Sequence, residues 1–235
     1  MPAKLPFAGF PEEALQFLRD LADNNEREWF QPRKDEYERL LKNPMSDLVS
    51  ALNAELARLA PRYVTDPKKS IFRIYRDTRF SKDKTPYKTH VAAWFGMHGL
   101  EDMGGAGLYL SVSPKALEIA GGIYHAPPQT LLAVRTHIAI TYREFEWLLA
   151  NRKLRRLLGE LRGDELTRVP KGFDAAHPAA HLLKKKDWTF FSELSPEIAT
   201  GPKLWKEALP RFEAMIPVLD YLNAPLLRKK PKTYQ

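Results

Sequence analysis

Three observations predict an α+β fold. Residues 10–59 carry apolar side chains at helical spacing. Between about 70 and 121 the period shortens to alternating, β-rich runs joined by turns, with no helix between them. From Pro127 onward helical spacing returns. Runs this close together leave no room for crossover helices, so the central sheet, about residues 70–121, is expected to be antiparallel. An N-terminal helical layer and C-terminal helices are expected to pack on it. The 235 residues read as one globular domain over 1–225 with a basic tail at 226–235.

The elements follow in order. Residues 10–22 form an amphipathic helix: Pro11 suits the first turn, Glu12 and Glu13 favour its positive end, and Ala14, Phe17, Leu18 and Leu21 keep the spacing. A second helix starts near Asn25, with Glu28 three residues on as the partner in a capping box, and places Trp29 and Phe30 in the core. The charged run RKDEYERLL continues it until Asn43–Pro44 breaks it. A third helix over 44–59 carries Leu48, Leu52, Leu56 and Leu59 on one stripe, and Pro61 ends it. SIFRIYRD (70–77) then alternates as a strand. Ile71, Arg73, Tyr75, Asp77 and Arg79 fall on one side, and Phe72, Ile74, Arg76, Thr78 and Phe80 on the other. Residues 81–84 are a turn or loop, and 88–95 form a second strand with Lys88, His90, Ala92 and Trp94 on one side. Further strands are expected at 107–113 and 116–121. Helices follow over 127–140 and 142–156, then a short one at 177–185, a possible last strand at 187–193, and a final helix over 202–222. Pro210 and Pro217 are expected to bend or split that last helix.

Composition narrows the function. The chain has no cysteine, which excludes thiol nucleophiles, Cys-ligated zinc, iron–sulfur clusters and disulfides. No apolar stretch approaches the ~18 residues of a membrane span. The start, MPAKLPFAGFPEE, lacks the apolar core of a signal peptide. A soluble cytoplasmic protein with no membrane partner is expected. The net charge is +8, and it is concentrated: Lys68–His90 holds eight Lys/Arg against two Asp, a net of +6.

That stretch, KKSIFRIYRDTRFSKDKTPYKTH, carries the strongest chemical signal. Arginines at alternate strand positions need counter-charge, and only Asp77 and Asp83 are local. The guanidinium fork matches carboxylate or phosphate. If 70–77 and 88–95 pair around the turn, the charges converge into an anion cradle. The ligand-binding candidates are therefore Arg73, Tyr75, Arg76, Asp77, Arg79, Lys84, Tyr87, Lys88 and His90, with Tyr124 for hydroxyl or stacking contact and Arg135 and Lys171 as outer clamps. The expected partner is an anionic small molecule bearing phosphate or carboxylate. Two alternatives stay open: a nucleic-acid binder using loop 81–88, Lys184–Lys186 and the tail, and a structural protein whose charges pair internally. Asp77, ringed by arginines, is a poor general base because its pKa is lowered.

The remaining motifs are weak. GMHGLEDMGGAG (96–107) matches no phosphate-binding fingerprint. Gly121–Gly122 would let a backbone approach a ligand near the start of the helix at Pro127. His177 and His181 share a helical spacing, but no Glu or Cys accompanies them, so no metal and no cofactor is expected. His177 before Pro178 reads as a cap or turn residue. No Ser–His–Asp arrangement or G-x-S-x-G motif is present to assign catalysis.

Four blocks in order carry a family resemblance: FLRDLADNNEREWFQPRKDEYE, IFRIYRDTRFSKDKTPYKTH, GLYLSVSP…GGIYHAPP…LLAVRTHI and PKGFDAAHPAAHLLKKK. Over about residues 10–190 the chain resembles the bacterial and fungal conserved hypothetical family termed domain of unknown function 2461. The resemblance implies a shared fold and carries no assigned activity, substrate or catalytic residue.

Overall fold

The computed structural model describes residues 7–100 and 104–227; the basic tail expected at 226–235 lies outside the described residues from 228 onward. The fold is α+β. Four strands, β1 (Val91–Gly96), β2 (Gly107–Val112), β3 (Leu117–Ile123) and β4 (Trp188–Leu194), form one antiparallel sheet in the order β1-β2-β3-β4. The segment expected to be the first strand is not in it; the tentative strand near 190 takes the last place. Five helices precede β1, α1 (Glu13–Asp23), α2 (Arg27–Phe30), α3 (Lys34–Tyr37), α4 (Asn43–Leu59) and α5 (Pro67–Ser70); α6 (Pro128–Leu149), α7 (Arg152–Leu158) and α8 (Ala180–Leu183) lie between β3 and β4, and α9 (Lys203–Asn223) follows β4. Contacts divide the chain into two units. The first holds the chain up to Phe95, Tyr109–Ile119 and Glu193–Pro210; the second holds Gly96–Leu108, Ala120–Ser192 and the chain from Arg211 on.

In the first unit, α1 buries Ala14, Leu15, Phe17, Leu18 and Leu21, the stripe expected from the sequence. The helix after it departs from expectation at both ends. Asn25 does not cap α2. Its side-chain amide instead donates to the Tyr87 carbonyl (3.0 Å) and accepts from the Tyr87 N–H (3.0 Å). At the other end, Pro44 breaks nothing. Residues Glu38–Lys42 form a π turn, in which the Asn43 N–H reaches back five residues to the Glu38 carbonyl, and α4 continues directly through Pro44. Proline lacks an N–H and its ring crowds the carbonyl four residues back, so a wider turn there accommodates it. On α4, Leu48, Leu52 and Leu56 are buried, while Leu59 is exposed. A second asparagine–backbone pairing ends this region: Asn53 donates to the Thr65 carbonyl (2.6 Å) and accepts its N–H (3.0 Å).

Ser70 ends α5, and residues 71–77, expected to be a strand from 70, make no ladder. Two isolated antiparallel bridges tie them to the next segment, Ile71 with Ala93 and Tyr75 with Tyr87. Between these bridges one side advances four residues and the other six. The two extra residues force a bulge across Lys88–His90, which is why β1 begins only at Val91. The alternation holds from Phe72 to Arg79: Phe72, Ile74, Arg76 and Thr78 are half-buried or buried, and Arg73, Tyr75, Asp77 and Arg79 are exposed; it fails at Phe80, expected on the inner side and 95% exposed.

In the second unit, α6 has a non-helical residue, Thr141, where the sequence marks a break between 140 and 142. The Thr141 hydroxyl donates to the His137 carbonyl (2.9 Å) and lies 2.8 Å from the Tyr221 hydroxyl, whose ring stacks on Phe145. Asn151, unnoticed in the sequence, ends α6 and caps α7 by accepting the Leu154 N–H at 3.1 Å. α9 is one helix through both Pro210 and Pro217, not split. Gly121 and Gly122 make room for protein, not for a ligand: a Cβ on Gly122 would overlap the Trp188 carbonyl, and one on Gly121 would press Met215 at 2.8 Å. Asn223 repeats the amide pairing, donating to the Ala106 carbonyl (2.9 Å) and accepting its N–H (2.7 Å).

Candidate functional site

A cleft of about 600 Å³ opens in the first unit between the π-turn region and α5 with the extended residues 71–75 after it. Phe30, Ile71, Phe72 and Ile74 give it an apolar floor, and Lys34, Lys42, Lys68 and Arg73 supply cations. Tyr37, Glu38 and Tyr75 line it as well. Helical spacing brings Lys34, Tyr37, Glu38 and Lys42 to one side, and the π turn falls within this run, a distortion frequent at functional sites. The Phe30 ring is fully buried and packs 4.2 Å from the ring of Tyr87, which in turn lies 5.5 Å from Tyr75. The amide of Asn25 fixes the backbone of Tyr87, so one half-buried asparagine sets the position of the floor.

Charge is unevenly satisfied around the cleft. Lys42 pairs with Glu38 at 3.0 Å. Lys34, Lys68 and Arg73 have no carboxylate within ion-pair distance among the described residues. Lys88 lies with its ammonium 5.1 Å from the Phe72 ring centre, and its pKa is lowered, first by burial and then by the neighbouring charge of Arg73. Burial, with smaller effects from Glu38 and Tyr75, pushes the Tyr37 hydroxyl up to about 12, so it keeps its proton and remains a donor.

Of the residues singled out in the sequence, Arg73 and Tyr75 line this cleft, and Lys88 sits behind Phe72. The others go elsewhere. Tyr87, 1% exposed, is a core residue whose hydroxyl the cleft does not include. Arg76 folds onto the loop that follows it, donating to Asp83 (2.5 Å), to the Thr85 carbonyl (3.2 Å) and to the Thr85 hydroxyl. Arg79 grips Asp77 with two bonds, Nε to Oδ1 at 3.0 Å and Nη2 to Oδ2 at 2.7 Å. The Lys84 ammonium donates to the Thr78 carbonyl at 2.9 Å. The bonds from Arg79 lower the Asp77 carboxyl to about 2, and those from the Thr85 N–H and hydroxyl, then Arg76, lower Asp83 to about 2. Both stay ionised and are too weakly basic for general-base work.

The bulge separates His90 from Lys88. His90 lines a different cleft of about 440 Å³ with Arg19, Asp23, Ser111, Lys115 and Glu118, where Ser111 donates to Glu118 at 2.7 Å. Burial first, then Lys88, lowers the His90 pKa.

The last three candidates belong to the second unit. Tyr124 is exposed against His125, and Lys171 is an exposed turn residue. Arg135 is buried, donates from Nη2 to the Lys185 carbonyl (2.8 Å), and leaves Nε without a partner among the described residues; burial lowers its pKa. Lys185 is also buried and pairs with Glu165 at 2.9 Å, so Lys184–Lys186 is not a uniformly solvated run. His177 is a turn residue: its Nδ1 accepts the Ala179 N–H (3.0 Å), which leaves Nε2 protonated to donate to the Ala139 carbonyl (3.0 Å). Among the described residues no group of three His, Asp or Glu is placed to hold a metal ion, and no helix is long and apolar enough to cross a membrane.

Sequence reasoning missed Lys34, Tyr37, Lys42 and Lys68 as cleft residues, and Asn25 as its anchor. The signal for the first three was the charged run RKDEYERLL with Lys42 directly after it, whose helical spacing puts them on one face.

Fold and cleft together define an α+β protein with an apolar, cation-rimmed groove. The chain belongs to the family described as Conserved hypothetical protein (DUF2461), whose profile matches residues 13–221. Comparison with curated proteins and with solved structures gives no match.

Proposed function

We propose that the cleft binds a small molecule joining an apolar or aromatic body to a phosphate or carboxylate. The observation that carries this is the set of three cations, Lys34, Lys68 and Arg73, left without carboxylate partners beside an apolar floor. Cations in such a position favour an anion, and Arg73 offers the fork that suits one. Burial first, and then the charge of Arg73, lowers the Lys88 pKa; the second, smaller part is a repulsion an anion would relieve. The Phe72 and Tyr75 rings and the protonated Tyr37 hydroxyl would receive the body of the ligand. A volume of about 600 Å³ falls within the range of small-molecule sites.

Titration with 1-naphthyl phosphate, followed by fluorescence at low salt, tests this. Saturable binding is expected, weakened at least tenfold in the Lys68→Ala/Arg73→Ala double variant. Equal binding by wild type and variant, or none by either, would overturn the reading.

A further inference from the structure

The loop Arg76–Thr85 presents a second feature that the cleft does not use. Phe80 at its tip is 95% exposed, the most exposed large apolar side chain among the described residues. On a slack loop that would mean little. This loop is fastened at several points: Arg76 to Asp83 and Thr85, Thr85 N–H and hydroxyl to Asp83 (3.0 and 2.9 Å), Arg79 to Asp77, and Lys84 and the Ser81 N–H to the Thr78 carbonyl. The bonds hold the backbone so that Phe80 projects into solvent. The Arg79 guanidinium lies 5.8 Å from its ring centre. Four cations face two carboxylates within the loop, and both carboxylates are engaged by arginine, which leaves Lys82 without a carboxylate partner among the described residues.

We infer that this loop is a contact point for single-stranded nucleic acid, with one unpaired base stacked on Phe80 and adjacent phosphates met by Lys82 and Lys84. A rigid exposed aromatic ring beside cations is what sequence-tolerant base stacking requires, because every base has a π face and every linkage a charge. Duplexes keep their bases stacked internally and offer the ring nothing equivalent. A bilayer fits less well: Thr78, Arg79 and Ser81 give Phe80 no apolar neighbour, and two ionised carboxylates flank it. The inference rests on the loop alone and stands apart from the cleft.

Anisotropy of a fluorescein-labelled 15-nucleotide thymidine strand, compared with an abasic strand of equal charge, tests it with the full chain. Wild type is expected to bind the thymidine strand at low salt at least fivefold more tightly than the abasic one. Phe80→Ala should remove that preference without shifting the melting temperature, since the ring is in solvent. Phe80→Trp should retain it, with its emission quenched by the strand. Lys82→Ala should lower the slope of log affinity against log salt by about 0.7. No binding at low salt, or a Phe80→Ala variant that still prefers thymidine to abasic strand, overturns the proposal. So does binding to phosphatidylserine vesicles that depends on Phe80 while the strand does not bind, which would make the loop a membrane contact.

Discussion

The basic stretch Lys68–His90 divides into two regions that treat charge in opposite ways. In the loop, Arg76 and Arg79 each hold a carboxylate two to seven residues away, and the carboxylates answer with lowered pKa values. In the cleft, Arg73 and Lys68 hold none, and beside it burial and then Arg73 lower the pKa of Lys88. One composition therefore yields a self-satisfied scaffold and an unsatisfied surface. The division follows the two Asp residues of the stretch: both lie after Arg76 and both are taken by arginine, so Arg73 acts on Asp77 only at a distance.

Substitutions can break or sharpen this contrast. The largest effect is expected at the shared floor. Phe30→Ala should cost about 3–5 kcal/mol in chemical denaturation by opening a void under the cleft, and should weaken naphthyl phosphate binding with it. Asn25→Ala strands the Tyr87 N–H and carbonyl and should cost about 1–3 kcal/mol. Arg76→Ala should cost about 1 kcal/mol and speed amide exchange at Thr85, because two of its three acceptors are on half-buried Thr85. Arg73→Ala should stay within about 0.5 kcal/mol of wild type in the absence of anion. Equal costs at 73 and 76 would erase the distinction between the regions.

The smallest effect is in the response to acid. Asp77 and Asp83 are depressed from 3.8 to about 2, so the stability they contribute is complete above pH 3.8 and is lost as pH falls towards 2. Loop amides should lose protection across that window. His90 is depressed too: the unfolded chain takes up its proton first, so stability should begin to fall below pH 6.5, and His90→Gln should flatten that decline.

The sequence made much of this legible, for reasons tied to particular residues. Inward-facing Phe72, Ile74 and Arg76 follow from period-two alternation, which holds even without a ladder. The break at Thr141 follows from the change in apolar spacing there. What escaped was register. Two extra residues between the bridges turned Tyr87 into the core and sent His90 to a different cleft, and nothing local announces such a slip. Cleft residues from the first helices escaped because their meeting with Arg73 is a tertiary event. Asn25 escaped because a capping role competed with a partner 62 residues away.

The three asparagines that grip backbone, at 25, 53 and 223, each stand in for a neighbouring strand. Such a grip reads only N–H and C=O and is indifferent to the side chain opposite. Evolutionary freedom should therefore be lopsided: half-buried position 65 can drift while 53 cannot. Even the isosteric change to aspartate, by mutation or by slow loss of ammonia with age, would set an anion against a carbonyl.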